Sequence, residues 1–160
     1  MSKSNYNFYF FAFDEITTQY GIEKIKTIGD SYMAAGGLPT PNHTHAADVV
    51  KAALDMRNLV EKRKQEKLEQ SQPFFELRVG IHSGPVVAGI VGVKKFQYDI
   101  WGDTVNTASH LEGSCKEGKI NISQSTYEII KDDAQFSFEN RGEVETKGKM
   151  NMWYVEKRTS

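Results

Sequence analysis

The spacing of apolar residues along the chain divides it into predicted helices and strands. An aromatic-rich run starts at Phe8, and its apolar side chains fit one face of a helix that ends near Tyr20, although the aromatic residues also favour a strand. We prefer the helix, because Gly21 is a typical residue just beyond a helix C-terminus. Apolar residues recur at helical spacing from about His45 to Leu68, which predicts a long helix whose last part is highly charged.

Two hairpins are predicted, one on each side of this long helix. The first turns at Gly29-Asp30 and returns through Ser31–Ala35, and the second pairs Phe75–Ile81 with Val86–Val91. Gly89, in the middle of a strand, indicates a close approach of another backbone. The remaining predicted elements are the strand Lys119–Ile122, the helix Gln124–Lys131 and the strands Phe136–Phe138, Gly142–Thr146 and Met152–Glu156. This order predicts α/β layers with a largely antiparallel sheet.

The segment Phe96–Glu112 joins an aromatic strand, a turn at Trp101-Gly102-Asp103 and a predicted helix that ends near Gly113. Small polar residues are frequent at the start of this helix, where free backbone N–H groups and the helix dipole favour an anion. Asp99 lies just before the turn, among apolar neighbours. From this segment alone, a loop aspartate and an ordinary helix cap remain the simpler interpretation.

Length and composition indicate a single globular domain over residues 1–160, with an ordered core at about 8–157 and frayed residues 1–7. The 160 residues are 39% hydrophobic and 26% charged, and the net charge of −1 argues against nucleic-acid binding and against binding to an anionic membrane surface. A single cysteine, Cys115, excludes an intrachain disulfide and fits a reducing compartment. Because we find no signal peptide or membrane-spanning run, we expect a cytoplasmic domain, alone or as the cytosolic domain of a larger sensor or membrane protein.

Several charged residues have both a functional and an ordinary interpretation. Asp30, at a hairpin tip, can bind Mg²⁺ together with substrate phosphates or can simply favour the turn. Lys26 is a strand charge that most simply faces solvent, and Arg78 lies between apolar residues, where it either extends to solvent or pairs with an anion. Lys147 and Lys149 form a basic turn that can hold phosphate or lie at the surface.

The histidines and the cysteine do not form a recognisable catalytic or metal pattern. His43 and His45 are assigned to loop or capping roles, and His82 to packing or hydrogen bonding near a strand end. Cys115 has no evident activating neighbour and is interpreted as structural. Neither of the two common glycine-rich nucleotide-binding motifs occurs in the chain.

Taken together, four segments resemble the class III nucleotidyl cyclase catalytic domain, and they occur in the family's order. The matching segments are Glu23–Gly37, Leu77–Gly92, Phe96–Glu112 and Val144–Val155. The resemblance implies a ferredoxin-like α/β (α+β) fold with helices packed on an antiparallel sheet. It also implies a head-to-tail dimer, with a second copy or a partner cyclase domain, and composite sites at the interface. The implied reaction converts ATP to 3′,5′-cyclic AMP and pyrophosphate with two Mg²⁺ or Mn²⁺ ions, in second-messenger signalling.

The resemblance also assigns the purine-binding residues. Lys26 and Asp99 match the pair that binds adenine, whereas guanylyl cyclases typically have Glu in place of Lys26. The chemistry fits, because a lysine donates to a ring nitrogen of adenine and an aspartate accepts from its exocyclic amine. A guanylyl cyclase is therefore the weaker hypothesis.

The remaining roles come from the same resemblance. Asp30 matches a metal-binding aspartate, and Asn106 matches the residue that orients the ribose. Arg78 and Lys147 match contacts to the triphosphate. His110 stands where the family usually has an arginine that stabilises the charge of the transition state, and histidine is a poorer permanent cation.

The family begins with a core strand that carries a second metal-binding aspartate, followed by a helix, and we expect this chain to lack both. Asp14, in the sequence FDEI, superficially imitates that aspartate. It lies directly before the segment at Gly21 where the family has the end of a helix, so we do not assign Asp14 to the metal site. With one carboxylate missing and His110 in place of arginine, we expect weak or absent turnover. The alternative is a non-catalytic cyclase-homology module that binds nucleotide or a partner.

Overall fold

The computed structural model describes residues 3–92 and 97–159, with side chains from residue 6 onward. The helices are α1 Lys3–Gln19, α2 His45–Glu69, α3 Asp103–Gly113 and α4 Gln124–Ile130. The strands are β1 Glu23–Ile28, β2 Ser31–Ala35, β3 Val79–Ile81, β4 Val87–Val91, β5 Gln97–Trp101, β6 Ile120–Ser123, β7 Phe136–Glu145 and β8 Lys149–Lys157. Within the described residues, no helix is both long enough and apolar enough to cross a membrane.

The strands form one four-stranded sheet and two separate hairpins. The four-stranded sheet has the order β3-β6-β8-β7, with β3 parallel to β6 and the other neighbours antiparallel. The hairpins pair β1 with β2 and β4 with β5, both antiparallel. The prediction of a mixed α/β fold with largely antiparallel pairing is therefore confirmed, and the two hairpins carry three of the candidate site residues, Lys26, Asp30 and Asp99.

The main core lies between α2 and the four-stranded sheet. The apolar stripe predicted for α2 is buried, and it faces branched residues of β3, β6 and β8, as expected when an amphipathic helix covers a sheet. The buried members are Ala46, Val50, Ala53, Leu54, Ile81, Ile120, Ile122, Ile130, Phe136 and Val155. A smaller cluster, centred on Tyr9, Phe13 and Val60, joins α1 to the later part of α2.

One predicted hairpin and three predicted boundaries were wrong. The strand predicted from Phe75 does not pair with Val86–Val91, because β3 pairs with β6 and β4 pairs with β5. The helix α1 begins at Lys3, five residues before its predicted start at Phe8. The strand predicted over Phe75–Ile81 is reduced to β3, because Phe75 and Leu77 pack against the smaller cluster instead. The predicted strands Phe136–Phe138 and Gly142–Thr146 are a single strand, β7, whose register shifts just before Gly142, a residue with a φ of 70°.

Candidate nucleotide-binding site

Lys26 and Asp99, which are 73 residues apart in the sequence, form an ion pair between the two hairpins. Lys26 Nζ lies 2.9 Å from Asp99 Oδ2, and the two side chains are only 26% and 18% exposed. A second contact links the same strands, because Gln97 Nε2 donates to the backbone carbonyl of Ile25 at 3.2 Å. We did not predict a role for Gln97, although its position two residues before Asp99 places it on the same face of β5.

The environment of Asp99 stabilises its ionised form. The hydrogen bond from Lys26 lowers the pKa of Asp99 most, partial burial opposes this, and the Ile100 N–H adds a further lowering through its 2.8 Å bond to Oδ1. Each carboxylate oxygen accepts one protein hydrogen bond and keeps a second lone pair. The pair therefore presents a fixed acceptor beside a fixed cation, which suits a flat ligand with a donor next to an acceptor.

Asp30 lies at the exposed turn of the β1–β2 hairpin, four residues after Lys26. The turn is sharp, because Gly29 has a φ of 57°, a conformation that favours glycine. Within the part of the chain that the structure describes, no three metal-binding side chains are grouped to hold an ion. Asp30 thus fits a carboxylate ligand of Mg²⁺ whose other ligands include substrate phosphates and water.

Asn106 and His110 lie one turn apart on α3, with Asn106 exposed and His110 half-buried. The helix sits close against β3 at Gly80, where an added Cβ would lie 2.2 Å from the Glu112 amide nitrogen. Its first turn is anchored by Thr104 Oγ1, which donates to the Pro85 carbonyl at 2.5 Å. The two side chains are therefore carried by a helix whose position is set by backbone contact.

The close backbone approach that we predicted at Gly89 is found at Gly80 instead. A Cβ at Gly89 would meet only the side chain of Trp101, at an ordinary 3.4 Å, whereas the site of close packing is Gly80. The backbone of α3 crosses β3 at Gly80. Glycine is needed at this strand position because it has no Cβ to clash with the helix backbone.

Arg78 and Lys147 are both exposed and lie outside the ion pair. Arg78 precedes β3, and Lys147 lies in the turn between β7 and β8. Among residues 6–92 and 97–159, no hydrogen bond or ion pair connects Arg78, Lys147, Asn106 or His110 to Lys26 or Asp99. The structure brings the two purine candidates together and leaves the phosphate and ribose candidates free to meet a ligand.

The histidine and cysteine interpretations agree with the contacts. His82 Nδ1 lies 2.7 Å from the Ser123 hydroxyl, and burial lowers the pKa of His82. Cys115 is buried and unbonded to another cysteine. Phe96, the first residue of the aromatic segment, lies outside the described residues.

Comparison with known proteins identifies the fold and the family. The family profile described as "Adenylate and Guanylate cyclase catalytic domain" matches residues 4–157. An adenylate cyclase of Mycobacterium tuberculosis is 44% identical over 146 residues, which cover 90% of this chain. Guanylyl cyclase C of Mus musculus is 43% identical over 140 residues, or 86% of this chain. The crystal structure of the adenylyl cyclase CyaB from P. aeruginosa superposes with a TM-score of 0.88 at 28% identity, covering 96% of this chain and 81% of that one.

The match covers only part of the curated relatives. The chain spans 32% of the mycobacterial protein and 13% of the mouse protein. It nevertheless covers most of the structure of CyaB, and the family profile runs over nearly all of its length. The chain therefore belongs to the family of adenylate and guanylate cyclase catalytic domains.

Proposed function

We propose that this cyclase domain uses ATP and forms 3′,5′-cyclic AMP and pyrophosphate, as a source of second messenger. The observation that carries the proposal is the contact of Lys26 with Asp99. Adenine presents an acceptor, a ring nitrogen, next to a donor, the exocyclic amine. A lysine ammonium and an ionised aspartate, held 2.9 Å apart, offer the complementary donor and acceptor.

Overall similarity does not distinguish the two purines, because adenylate and guanylyl cyclases are similarly identical to this chain. The hydrogen-bonding groups of Lys26 and Asp99 support adenine over guanine. In the pose that places the 6-position of the purine on Asp99 and ring atom N1 on Lys26, guanine presents its O6 acceptor to the carboxylate and its N1–H donor to the ammonium. Both contacts are then mismatched in a partly buried site, which costs binding free energy. Specificity for ATP follows from this mismatch.

We propose that the complete site forms between two copies of the domain. The apolar side chains Val87, Ile90 and Trp101 on the β4–β5 hairpin are exposed, with Ile90 at 71%. Water-exposed apolar groups of this size on the hairpin that carries Asp99 favour coverage by a second protein surface. A second copy is the natural occupant, because it would bring its own Asp30 toward the nucleotide bound by Lys26 and Asp99.

Each side chain then has a defined role toward ATP. Lys26 and Asp99 hold the base, Asn106 orients the ribose, and Arg78 and Lys147 bind phosphate oxygens through charge-assisted hydrogen bonds. Fixing the ribose and the phosphates places the 3′-hydroxyl near the α-phosphate, which lowers the entropic part of the barrier. Mg²⁺ or Mn²⁺ bound at Asp30 would supply positive charge that acidifies the hydroxyl and stabilises the developing phosphate charge.

A second candidate function is a non-catalytic module that binds ATP and a partner domain. Two observations favour it: no three metal-binding side chains are grouped among the described residues, and His110 stands where the family resemblance leads us to expect a permanent cation. In that case the Lys26–Asp99 pair still selects adenine, and binding without turnover is the expected behaviour.

The test measures both product and binding. The chain is incubated with an equimolar mixture of ATP and GTP and with Mn²⁺, cyclic AMP and cyclic GMP are quantified, and ATP affinity is measured by calorimetry. We expect cyclic AMP as the main product and measurably weaker ATP binding in Lys26→Ala. The control is Lys131→Ala, a surface lysine on the far side of α4, which should change nothing. ATP binding without product supports the non-catalytic module, and preference for GTP contradicts the assignment.

A further inference from the structure

Asp14 lies on α1, at the point where this helix meets the β1–β2 hairpin. Its Oδ1 accepts a hydrogen bond from the Tyr32 hydroxyl at 2.7 Å. The same carboxylate pairs with Lys24 Nζ, at 3.2 Å from Oδ1 and 3.3 Å from Oδ2. Lys24 belongs to β1 and Tyr32 to β2, so one carboxylate on the helix holds both strands of the hairpin.

The two partners of Asp14 flank the two candidate functional residues of the hairpin. Lys24 precedes Lys26 by two positions, and Tyr32 follows Asp30 by two. The strand pairing is irregular between Lys24 and Lys26, where the register shifts by one residue. Backbone pairing alone therefore fixes the direction of Lys26 poorly, and an anchor on Lys24 restricts it.

The anchor on Tyr32 is rigid. Its ring packs against Phe10 and Phe13 of α1, with ring centroids 5.6 Å apart in both cases. Two packed rings leave the hydroxyl little freedom, so the bond to Asp14 costs little additional entropy. The β1–β2 hairpin forms no backbone ladder with another described strand, so side-chain contacts such as these help to determine where it lies.

We propose that Asp14 is a positioning residue for the nucleotide site. By holding Lys24 and Tyr32, it orients the hairpin so that Lys26 meets Asp99 and Asp30 faces the substrate phosphates. The roles of Lys26 and Asp30 rest on the proposed function, whereas the placement of the hairpin rests on the contacts alone. Asp14 itself touches neither substrate nor metal in this proposal.

The test uses two variants of the anchor and one matched control. Asp14→Ala removes both contacts, and Tyr32→Phe removes a single oxygen atom and is the variant least able to disturb folding. The control is Tyr20→Phe, which removes a hydroxyl that donates to Asp55 Oδ2 at 2.5 Å, the same kind of bond between the end of α1 and α2. All three should lose comparable stability in urea unfolding.

The first readout needs no nucleotide. Carboxyl NMR follows the titration of Asp99, whose pKa is held low chiefly by Lys26. If the hairpin shifts, Lys26 moves away and the pKa of Asp99 rises. We expect this rise in Asp14→Ala and Tyr32→Phe but not in Tyr20→Phe. An unchanged Asp99 titration in both anchor variants, or an equal rise in the control, would overturn the proposal.

The second readout is ATP affinity by calorimetry in the presence of Mg²⁺. We expect about tenfold weaker binding in Asp14→Ala, as for other residues that orient a ligand-binding group, and little further loss when Asp14→Ala is added to Lys26→Ala. Additive losses would indicate a merely structural role and overturn the proposal. If the unmodified chain binds no ATP but the Asp99 titration responds as expected, the proposed function fails and the positioning role stands.

Discussion

Replacing Gly80 with alanine adds one methyl group where the fold has no space for it. An ideal Cβ at Gly80 lies 2.2 Å from the Glu112 amide nitrogen and 2.4 Å from the Ala108 carbonyl oxygen. Both are backbone atoms of α3, so they cannot rotate away as a side chain can. Non-bonded heavy atoms settle at roughly 3.5 Å, so α3 must move from β3 by about 1 Å.

This displacement should have two separate consequences. Overpacking of this kind lowers the free energy of unfolding by about 1–3 kcal/mol. Because α3 carries Asn106 and His110, the same shift moves the proposed ribose and phosphate contacts by a similar amount. A misplacement of about 1 Å costs on the order of a hundredfold in turnover, so activity should fall further than stability alone explains.

Urea unfolding, followed by circular dichroism, measures the loss of stability. Cyclic AMP formation, assayed without urea under conditions where the variant is fully folded, measures the loss of activity. The control is Gly113→Ala, the last residue of the same helix, where a Cβ meets nothing within 4 Å. Alanine is the better helix former, so this variant should be equal to the parent or up to about 1 kcal/mol more stable. A Gly80→Ala protein that unfolds at the parental urea concentration would refute the reasoning.

Three further predictions concern an ion pair, a half-buried histidine and a missing charge. Arg57→Met should lower the free energy of unfolding by about 1–3 kcal/mol, because Arg57 donates two hydrogen bonds of 2.7 Å to Glu156 and thereby joins α2 to β8. The free energy of unfolding should fall as pH drops below about 6.5, because burial lowers the pKa of His82 in the folded protein and the unfolded chain takes up the proton first; His82→Gln should reduce this slope. His110→Arg should raise cyclic AMP formation by roughly a hundredfold, because it places a permanent cation one turn from Asn106.

Each of these has its own control or opposing outcome. Lys131→Met removes an exposed pair with a 2.8 Å separation and should cost little stability, so equal losses would contradict the ion-pair prediction. A pH profile of unfolding that is identical in His82→Gln would exclude His82 as its source. Ser109→Arg adds the same charge at an exposed residue of α3. An equal gain in turnover in this variant would show that the location of the charge does not matter and would contradict the His110→Arg prediction.

Local patterns in the sequence predicted the elements better than their ends. The stripe on α2 is strictly helical in spacing and is buried as expected, and the turn at Gly29-Asp30 lies between two strands as predicted. The strand predicted from Phe75 was too long, because alternation of apolar residues does not show what those residues pack against. Phe75 and Leu77 pack against the aromatic cluster of α1, which is distant in sequence, and the backbone at these two residues does not join the sheet.

The positions that matter most for the site were the hardest to derive from local pattern. Gly80 received no role from the sequence, since nothing near it in the sequence indicates that α3 crosses there. Lys26 and Asp99 were paired through family resemblance, because no spacing rule relates residues on two separate hairpins. Gln97 was missed for the same reason: its partner is a backbone carbonyl, which carries no signal in the sequence.

The division of the sheet has a functional consequence. The main core and its ladder support α2 and the β3-β6-β8-β7 sheet, whereas the hairpins that carry Lys26 and Asp99 form no backbone ladder with a described strand outside themselves. Their relative position therefore depends on side-chain contacts, among them the Lys26–Asp99 pair, the Gln97 bond and the Asp14 anchor. Such polar contacts contribute little to the global free energy of unfolding, yet they fix residues that we propose for nucleotide binding. Substitutions there should separate binding from stability, and substitutions such as Gly80→Ala, beneath α3, should change both together.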